Sequence, residues 1–119
     1  MNATILLVED DDTLRMVTAD ALSLLEANVI ECQNADQAVA ILESGILIQL
    51  LITDIRMPGR LDGLQLAGLV ASRWPDLEII VTSGNRSPTE VLPGKAGFMA
   101  KPWTLLDFLH TVRPLLSNA

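Results

Sequence analysis

The sequence predicts an α/β fold in which one parallel five-stranded sheet is covered by helices on both faces. Two hydrophobic periods alternate along the 119 residues: short continuous apolar runs, typical of strands buried on both faces, and segments with apolar residues at helical spacing. The segments follow in the order β-α-β-α-β-α-β-irregular-β-α, and such alternation favours parallel strands joined by helices. Half of the residues are apolar, which is enough for one core, and the length fits one domain.

The first strand and the first helix occupy residues 4–28. Residues 4–8 are a continuous apolar run and predict a buried strand. The helix opens at Asp12 or Thr13 and ends near Asn28, a residue type that tolerates the left-handed conformation of a helix stop. Its apolar residues at helical spacing, which we expect to face the core, are Leu14, Val17, Ala21 and Leu24.

A strand, a helix and another strand follow. Residues 29–32 form the second strand, and residues 49–53 form the third. Asn34 and Gln37 have the spacing of a capping box, so we expect the second helix to start there. Gly45 then stops that helix, because glycine adopts the left-handed conformation without a steric penalty.

The next part of the chain predicts a loop, a helix and a strand. Residues 57–63 contain proline and glycine and form a loop. The third helix covers residues 64–73 and is broken at Trp74 and Pro75. Residues 78–82 are the fourth apolar strand.

The last elements are a short strand at residues 98–100 and a helix. Thr104 and Asp107 have the spacing of a cap for this helix, and Pro114 removes one hydrogen bond, so we expect a kink or fraying near its end. Its apolar stripe is unusually wide and consists of Leu105, Phe108, Val112 and Leu115, flanked by Leu106, Leu109 and Leu116. The stripe either packs entirely in the core or leaves a surface for a partner or a second copy.

Charge and composition exclude several classes of protein. The net charge is −7 and the eight basic residues are scattered, whereas a nucleic-acid-binding protein needs clustered lysine and arginine. No apolar run is long enough to span a membrane, and the start of the chain lacks the pattern of a signal peptide. The single cysteine, Cys32, has no disulfide partner and is expected to pack in the core, and His110 is expected on the surface. These features predict a cytoplasmic domain that binds neither nucleic acid nor membrane.

Acidic side chains follow two strands that we expect to be neighbours. Glu9 and Asp10 follow the first strand, and Asp54 follows the third. Each alone could be an acidic turn that caps a helix or a polar start of a loop. In the common five-stranded arrangement the two strand ends are adjacent, so the three carboxylates converge and repel unless a cation joins them. Hard oxygen ligands of this kind predict a site for Mg²⁺ or Mn²⁺.

The ends of the fourth and fifth strands add a hydroxyl and a cation. Ser83 is followed by Gly84, whose small size lets backbone N–H groups approach a ligand. Lys101, one of two lysines, comes directly after the fifth strand. It either meets anions at the predicted site or is a charge that protects the strand end.

In sequence, these residues resemble the receiver domain of bacterial two-component response regulators. The resemblance covers essentially the whole chain, and its motifs are Glu9-Asp10, Asp54 within Thr-Asp-Ile-Arg-Met-Pro-Gly, Asp62-Gly63, Ser83-Gly84 and Lys101-Pro102-Trp103. It implies a flavodoxin-like sheet with strand order 2-1-3-4-5. It also implies that residues 1–119 are one receiver domain without an output domain.

The resemblance implies a signalling switch whose only chemistry is to accept and slowly lose a phosphoryl group. Asp54 would become an aspartyl phosphate, taking the group from a phosphohistidine of a sensor histidine kinase or a phosphotransfer protein. Asp10 would bind Mg²⁺ directly, Glu9 through water, and Arg56 through its backbone carbonyl. Conformation and partner binding would then change with the new charge.

The resemblance assigns further roles around the phosphoryl group. Lys101 would pair with it, and Ser83 with Gly84 would hydrogen-bond it after a small loop movement. Phe98 would become buried as that movement occurs, although a plain core role is equally consistent with its sequence. Arg56 and Asn85 stand where the family controls the access of water and hence the lifetime of the phosphoryl group.

Two segments depart from the family pattern, and two other functions stay open. The loop at 59–62 is one residue longer than usual in the family. The segment at residues 84–97 is shorter than its family counterpart and rich in proline and glycine, which predicts a shortened or irregular helix there. One alternative is a receiver-like module that binds proteins without phosphorylation; it predicts the loss of a site residue, and none is lost. The other is a small Mg²⁺-dependent phosphohydrolase of the haloacid-dehalogenase type, whose first motif is incomplete here.

Overall fold

The computed structural model describes residues 3–56, 61–84 and 92–116, and these residues form the predicted α/β fold. The elements are β1 (Thr4–Val8), α1 (Asp12–Ser23), β2 (Asn28–Cys32), α2 (Ala35–Glu43), β3 (Leu50–Asp54), α3 (Gly63–Arg73), β4 (Glu78–Ser83), β5 (Gly97–Ala100) and α4 (Leu105–Leu116). All neighbouring strands are parallel, and their order is β2-β1-β3-β4-β5. The predicted strand order is therefore confirmed.

The helices cover the sheet from both sides and create two apolar layers. On one side α2 and α3 pack against the sheet, with Leu42, Leu66 and Val70 buried at the contact. On the other side α1 and α4 pack, with Leu22 and Phe108 buried. Because β1, β3 and β4 lie inside the sheet with helices on both faces, their side chains are almost all buried, as the continuous apolar runs predicted.

Side-chain caps fix the starts of the helices. The Asn34 side chain accepts a hydrogen bond from the Gln37 N–H at 2.9 Å, and the Thr104 hydroxyl accepts one from the Asp107 N–H at 3.1 Å. Both predicted caps are confirmed, and the left-handed Gly45 follows α2 as expected (φ 90°). At α1 the cap is Asp11, whose Oδ1 accepts from the Leu14 N–H at 2.8 Å.

The prediction for the first helix is wrong in its end and in its buried face. The helix ends at Ser23, the left-handed residue is Glu26 (φ 58°), and Asn28 already belongs to β2. Val17 and Leu24 are exposed, whereas the buried residues are Thr18, Ala21 and Leu22. Thr18 can be buried because its hydroxyl donates to the Leu14 carbonyl at 2.7 Å, which satisfies the polar group inside the core.

The two segments that depart from the family pattern lie partly outside the described residues. Residues 57–60 and 85–91 are outside, and they include Asn85 and the first part of the loop predicted at 57–63, of which residues 61–63 are described. The described part of the second segment, residues 84 and 92–96, contains no helix.

At the other end of the chain, Pro114 lies inside α4, which continues to Leu116. Within the described ranges, no helix combines the length and the apolar character needed to cross a bilayer.

Candidate functional site

The carboxyl ends of β1 and β3 bring three acidic residues together. Residue pairs such as Val8 and Thr53 are in register across the two strands, so the residues that follow them lie at the same edge. Glu9, Asp10 and Asp54 each place a carboxylate oxygen within 4.8 Å of the others. The convergence predicted from the strand ends is therefore present in the structure.

Glu9 is the buried member of this cluster, with 5% of its surface exposed. Its backbone N–H donates to the Cys32 carbonyl at 3.0 Å, and its Oε2 accepts from the Asp11 N–H at 3.2 Å. Burial of the carboxyl raises the pKa of Glu9 above its usual value, and the hydrogen bond from Lys101 only partly offsets this effect. Glu9 is thus held in place by both its backbone and its side chain.

Lys101 joins two of the three acids. Its Nζ lies 2.9 Å from Glu9 Oε1 and 3.0 Å from Asp54 Oδ2. Its backbone N–H donates to the Ser83 carbonyl at 2.7 Å, which ties it to the end of β4. Burial disfavours the charged ammonium, but the hydrogen bonds to Glu9 and Asp54 outweigh it, so the pKa of Lys101 is raised. The lysine is a charged group aimed at the acids rather than a surface charge.

The cluster has the composition of a site for a hard divalent cation. When all groups are ionised, the carboxylates of Glu9, Asp10 and Asp54 carry three negative charges, and Lys101 supplies one positive charge. Asp10 is exposed and Asp54 is half-buried, so water can complete the coordination of an ion. The oxygen donors and the excess negative charge fit Mg²⁺ or Mn²⁺.

Buried residues with hydroxyl side chains stand at the ends of β3 and β4, the strands that end beside Asp54. Thr82 is in register with Asp54, and its hydroxyl lies 3.5 Å from the Thr53 carbonyl. Ser83 is the last residue of β4 and is also buried. Among the residues that the structure describes, none has an atom within 4 Å of a Cβ added at Gly84. The sequence reasoning selected Ser83 and Gly84 but missed Thr82, the residue directly opposite Asp54.

Gly63 allows helix α3 to begin directly against the end of β3. A Cβ on this residue would lie 1.6 Å from the backbone oxygen of Asp54, and the Gly63 N–H donates to the Ile55 carbonyl at 2.8 Å. Asp62 caps the helix together with Gln65 in a reciprocal capping box. The sequence shows Asp62-Gly63 as a motif but gives no reason for the glycine; the spacing of Asp62 and Gln65 is a visible signal of the cap.

Arg15 is a second residue that sequence reasoning missed. Its Nη1 donates to the Glu9 carbonyl at 2.8 Å, and its Nη2 donates to Asp12 Oδ1 at 2.7 Å. Its Nε lies 3.4 Å from Glu31 Oε1. The spacing of Asp12 and Arg15 on a helix is a signal for one of these contacts, but no pattern in the sequence indicates the contact with Glu9.

The remaining predicted residues lie around the site or away from it. Phe98 in β5 is half-buried and packs on the apolar layer under α2 and α3. Arg56 is exposed two residues after Asp54. Trp103 stacks on Phe108, with ring centroids 4.1 Å apart, and both line a small cavity together with Glu9 and Lys101. His110 is exposed and Cys32 is buried, as predicted.

Comparison with known proteins places this geometry in a family. The sequence model of the response regulator receiver domain matches residues 5–113. The response regulator receiver protein CpdR of Brucella abortus is 32% identical, and the match covers 97% of this chain and 98% of CpdR. The response regulator protein FleR of Pseudomonas aeruginosa is 34% identical, over 94% of this chain but 24% of FleR. The chain thus spans about a quarter of the longer relative.

Solved structures agree with the sequence comparison. A response regulator receiver protein from Sinorhizobium medicae superimposes with a TM-score of 0.85 at 28% identity, covering 99% of this chain and 96% of that one. The response regulator TrrA from Thermotoga maritima, solved in complex with Mg²⁺ and BeF, gives a TM-score of 0.85 at 25% identity. That match covers 96% of this chain and 99% of TrrA.

Proposed function

This chain belongs to the family of response regulator receiver domains, and we propose that its Asp54 accepts a phosphoryl group from a phosphohistidine donor. Receiver domains are signalling switches rather than ordinary enzymes, and they act with histidine kinases or phosphotransfer proteins. The observation that carries the proposal is the contact of Lys101 with both Glu9 and Asp54, where three carboxylates converge.

The transfer step makes one bond and breaks one bond. A carboxylate oxygen of Asp54 attacks the phosphorus, and the O–P bond forms as the N–P bond of the phosphohistidine breaks. The imidazole leaves with the electron pair of that bond, and its ring recovers a proton from solvent. Lys101 lies 3.0 Å from Asp54 Oδ2, and its ammonium can follow the negative charge onto the phosphoryl oxygens.

The acidic cluster supplies the metal site that this chemistry requires. We assign Asp10 and Asp54 as direct carboxylate ligands, Glu9 as a ligand through water, and the carbonyl of Arg56 as a further ligand. When bound there, Mg²⁺ or Mn²⁺ neutralises charge that develops on the phosphoryl oxygens. The support is the set of converging oxygen donors with excess negative charge.

The switch uses groups at the ends of β4 and β5. We propose that the Ser83 hydroxyl and the Gly84 backbone N–H hydrogen-bond the phosphoryl group. The half-buried Phe98 then moves further into the protein, so the phosphoryl charge favours one of two conformations. Arg56 and Asn85 would set the lifetime of the aspartyl phosphate by controlling the access of water.

Partner binding follows from the family and from the last helix. The donor is a sensor histidine kinase or a phosphotransfer protein, and residues 1–119 act as one cytoplasmic receiver unit that contacts neither nucleic acid nor membrane. In α4, Leu105 and Leu106 are exposed apolar residues, and they offer a surface for a homodimer or a protein target.

Intact-mass measurement tests the proposed acceptor. The protein is incubated with Mg²⁺ and either acetyl phosphate or phosphoramidate, whose P–N bond resembles that of phosphohistidine. We expect the addition of one phosphoryl group, which is absent in Asp54→Ala and in the presence of a chelator. A protein that gains no phosphoryl group from either donor or from a histidine kinase is instead the phosphorylation-independent module.

A further inference from the structure

We propose that Arg15 is a positioning residue that holds the turn carrying Glu9 and Asp10 in its metal-binding conformation. The inference rests on the metal site of the proposed function. It concerns a residue that contacts the backbone of Glu9 and two acids outside the cluster, Asp12 and Glu31.

The guanidinium of Arg15 joins three parts of the chain. Nη1 bonds the carbonyl of Glu9 directly after β1, Nη2 bonds Asp12 at the start of α1, and Nε faces Glu31 in β2. Although Arg15 stands in the first turn of α1, only 13% of its side chain is exposed. A long charged side chain with so little exposure is held in one place by its partners.

The contact with Glu9 controls the direction of the chain as it leaves the sheet. The Glu9 N–H still continues the pairing of β1 with β2, since it donates to the Cys32 carbonyl. The Glu9 carbonyl lies beyond the end of the strand, and Arg15 binds it. Because that carbonyl and the Asp10 N–H belong to one planar peptide unit, fixing the carbonyl fixes the direction in which Asp10 leaves the strand.

Arginine suits this role because its guanidinium is planar and because neighbouring carboxylates offset its charge. Its planar guanidinium can donate to two acceptors at once, which the single ammonium of lysine on a flexible stem reproduces poorly. Asp12 and Glu31 offset the positive charge. Arg15 therefore orders the turn without adding an unbalanced positive charge beside the proposed metal ligands.

Metal binding tests the inference directly. Mg²⁺ is titrated calorimetrically into the full chain, and Mn²⁺ binding is followed from the electron paramagnetic resonance signal of the free ion. We expect Arg15→Met and Arg15→Lys both to bind roughly 10-fold more weakly than the wild type, which is the lower end of the effect seen when outer partners of metal ligands are removed. Glu31→Gln is the matched control: it removes the ion pair to β2 but keeps the Glu9 contact, so its affinity should fall no more than about 2-fold, far less than in the two Arg15 variants.

Other outcomes overturn the inference. If only the charge of Arg15 mattered, Arg15→Met would bind Mg²⁺ more tightly and Arg15→Lys would be unchanged. If Arg15 only stabilised the fold, the melting temperature would fall while the Mg²⁺ affinity of both variants stayed at the wild-type value. Should Arg15→Met fail to fold, the affinity of Arg15→Lys decides alone.

The Asp10→Asn variant separates this inference from the proposed function. If the wild type binds no Mg²⁺, or Asp10→Asn binds it equally well, the proposed metal site is wrong and the role of Arg15 falls with it. If the wild type binds, Asp10→Asn does not, and the Arg15 variants match the wild type, only the positioning role is wrong.

Discussion

The two ends of the sheet are built from the same strands but differ in the polarity of their buried side chains. At the carboxyl end the buried side chains include polar and charged groups, among them Glu9, Thr53, Thr82 and Ser83. At the amino end an open groove of about 700 Å³ is lined by apolar side chains that include Ile46, Leu47, Trp74 and Leu115, together with polar and charged side chains at Gln49, Arg73, Asp76 and Glu78. Buried charge is therefore concentrated at the end where the proposed chemistry takes place.

The ion pairs at the two ends show what this difference means. At the amino end Arg73 pairs with Glu43 at 2.9 Å, with about half of each side chain exposed to solvent, and such surface pairs contribute little to stability. At the carboxyl end Lys101 pairs with the buried Glu9, and removing charges from water costs free energy that the pair must recover. The carboxyl end thus keeps groups that stability alone does not require, while the amino end is organised around packing.

Gly63→Ala should have the largest effect, because it breaks the close approach at the carboxyl end. The new Cβ would lie 1.6 Å from the Asp54 oxygen, which is a backbone atom and cannot turn aside. We expect the free energy of unfolding to fall by more than about 3 kcal/mol, at or beyond the upper end of overpacking effects. Chemical denaturation monitored by circular dichroism measures it.

Gly68→Ala is the control in the same helix. Within the described part of the chain, a Cβ there would meet the Pro93 side chain alone, at 4.0 Å, and alanine is a better helix former than glycine by about 1 kcal/mol. We expect it to stabilise the protein slightly. Equal destabilisation by both variants would show that α3 tolerates no added methyl group and that the contact with Asp54 is not special.

Leu50→Ala tests the packing at the amino end. Leu50 begins β3 and is completely buried, so its truncation should lower the free energy of unfolding by about 3 kcal/mol. Leu47, three residues earlier, is 75% exposed, and Leu47→Ala should change it by less than about 0.5 kcal/mol. Urea titration compares the two, and a large loss from Leu47→Ala would mean that the groove edge is part of the core.

Lys101→Met should have an intermediate effect that depends on metal and on pH. Without its ammonium, the carboxylates of Glu9 and Asp54 lose a partner, and we expect a loss of about 2 kcal/mol in the presence of a chelator. Mg²⁺ should reduce the loss, and so should acidic pH, because burial raises the pKa of Glu9 and protonation of this carboxyl removes its repulsion of Asp54. Melting curves at several pH values, with and without Mg²⁺, test this.

The direction of the pKa shift of Lys101 determines the pH range in which this residue stabilises the folded protein. Its pKa is raised above 10.5 in the folded protein, so its stabilising effect is complete below that pH and is lost as the pH rises through the raised value. Lys95→Met is the control, since Lys95 pairs with Glu78 on the surface at 3.1 Å. Equal losses from the two lysine variants would contradict a special role for Lys101.

The smallest contribution to stability is expected from the thiol of Cys32, the last residue of β2. Burial raises the pKa of its thiol to about 11, and 3% of the residue is exposed. Iodoacetamide at pH 8 should leave it unmodified in the native protein and alkylate it rapidly in urea. Because the pKa of the thiol is higher in the folded than in the unfolded protein, the protonated thiol favours folding fully below the unfolded pKa, and this contribution is lost as the pH rises towards 11.

The sequence predicted the carboxyl end better than it predicted the packing. The positions of Asp54 and Lys101 follow from strand order alone, because in a parallel sheet all strand ends meet at one edge. The buried face of α1 was predicted incorrectly, since apolar spacing does not show that Thr18 can satisfy its hydroxyl within the helix and that Val17 can face solvent. The roles of Gly63 and Arg15 depend on the backbone oxygens of Asp54 and Glu9. Side-chain patterns in the sequence carry no information about where backbone oxygens lie.

The positions of the two tryptophans provide a separate optical label for each end of the sheet. The chain contains two tryptophans and no tyrosine, so its near-ultraviolet emission comes from indole alone. Trp74 lines the amino-end groove, whereas Trp103 stacks on Phe108 beside Glu9 and Lys101. In Trp74→Phe the remaining emission comes from the carboxyl end, and in Trp103→Phe it comes from the amino end. Fluorescence of the two variants can therefore distinguish an event at the acidic cluster from unfolding of the whole sheet.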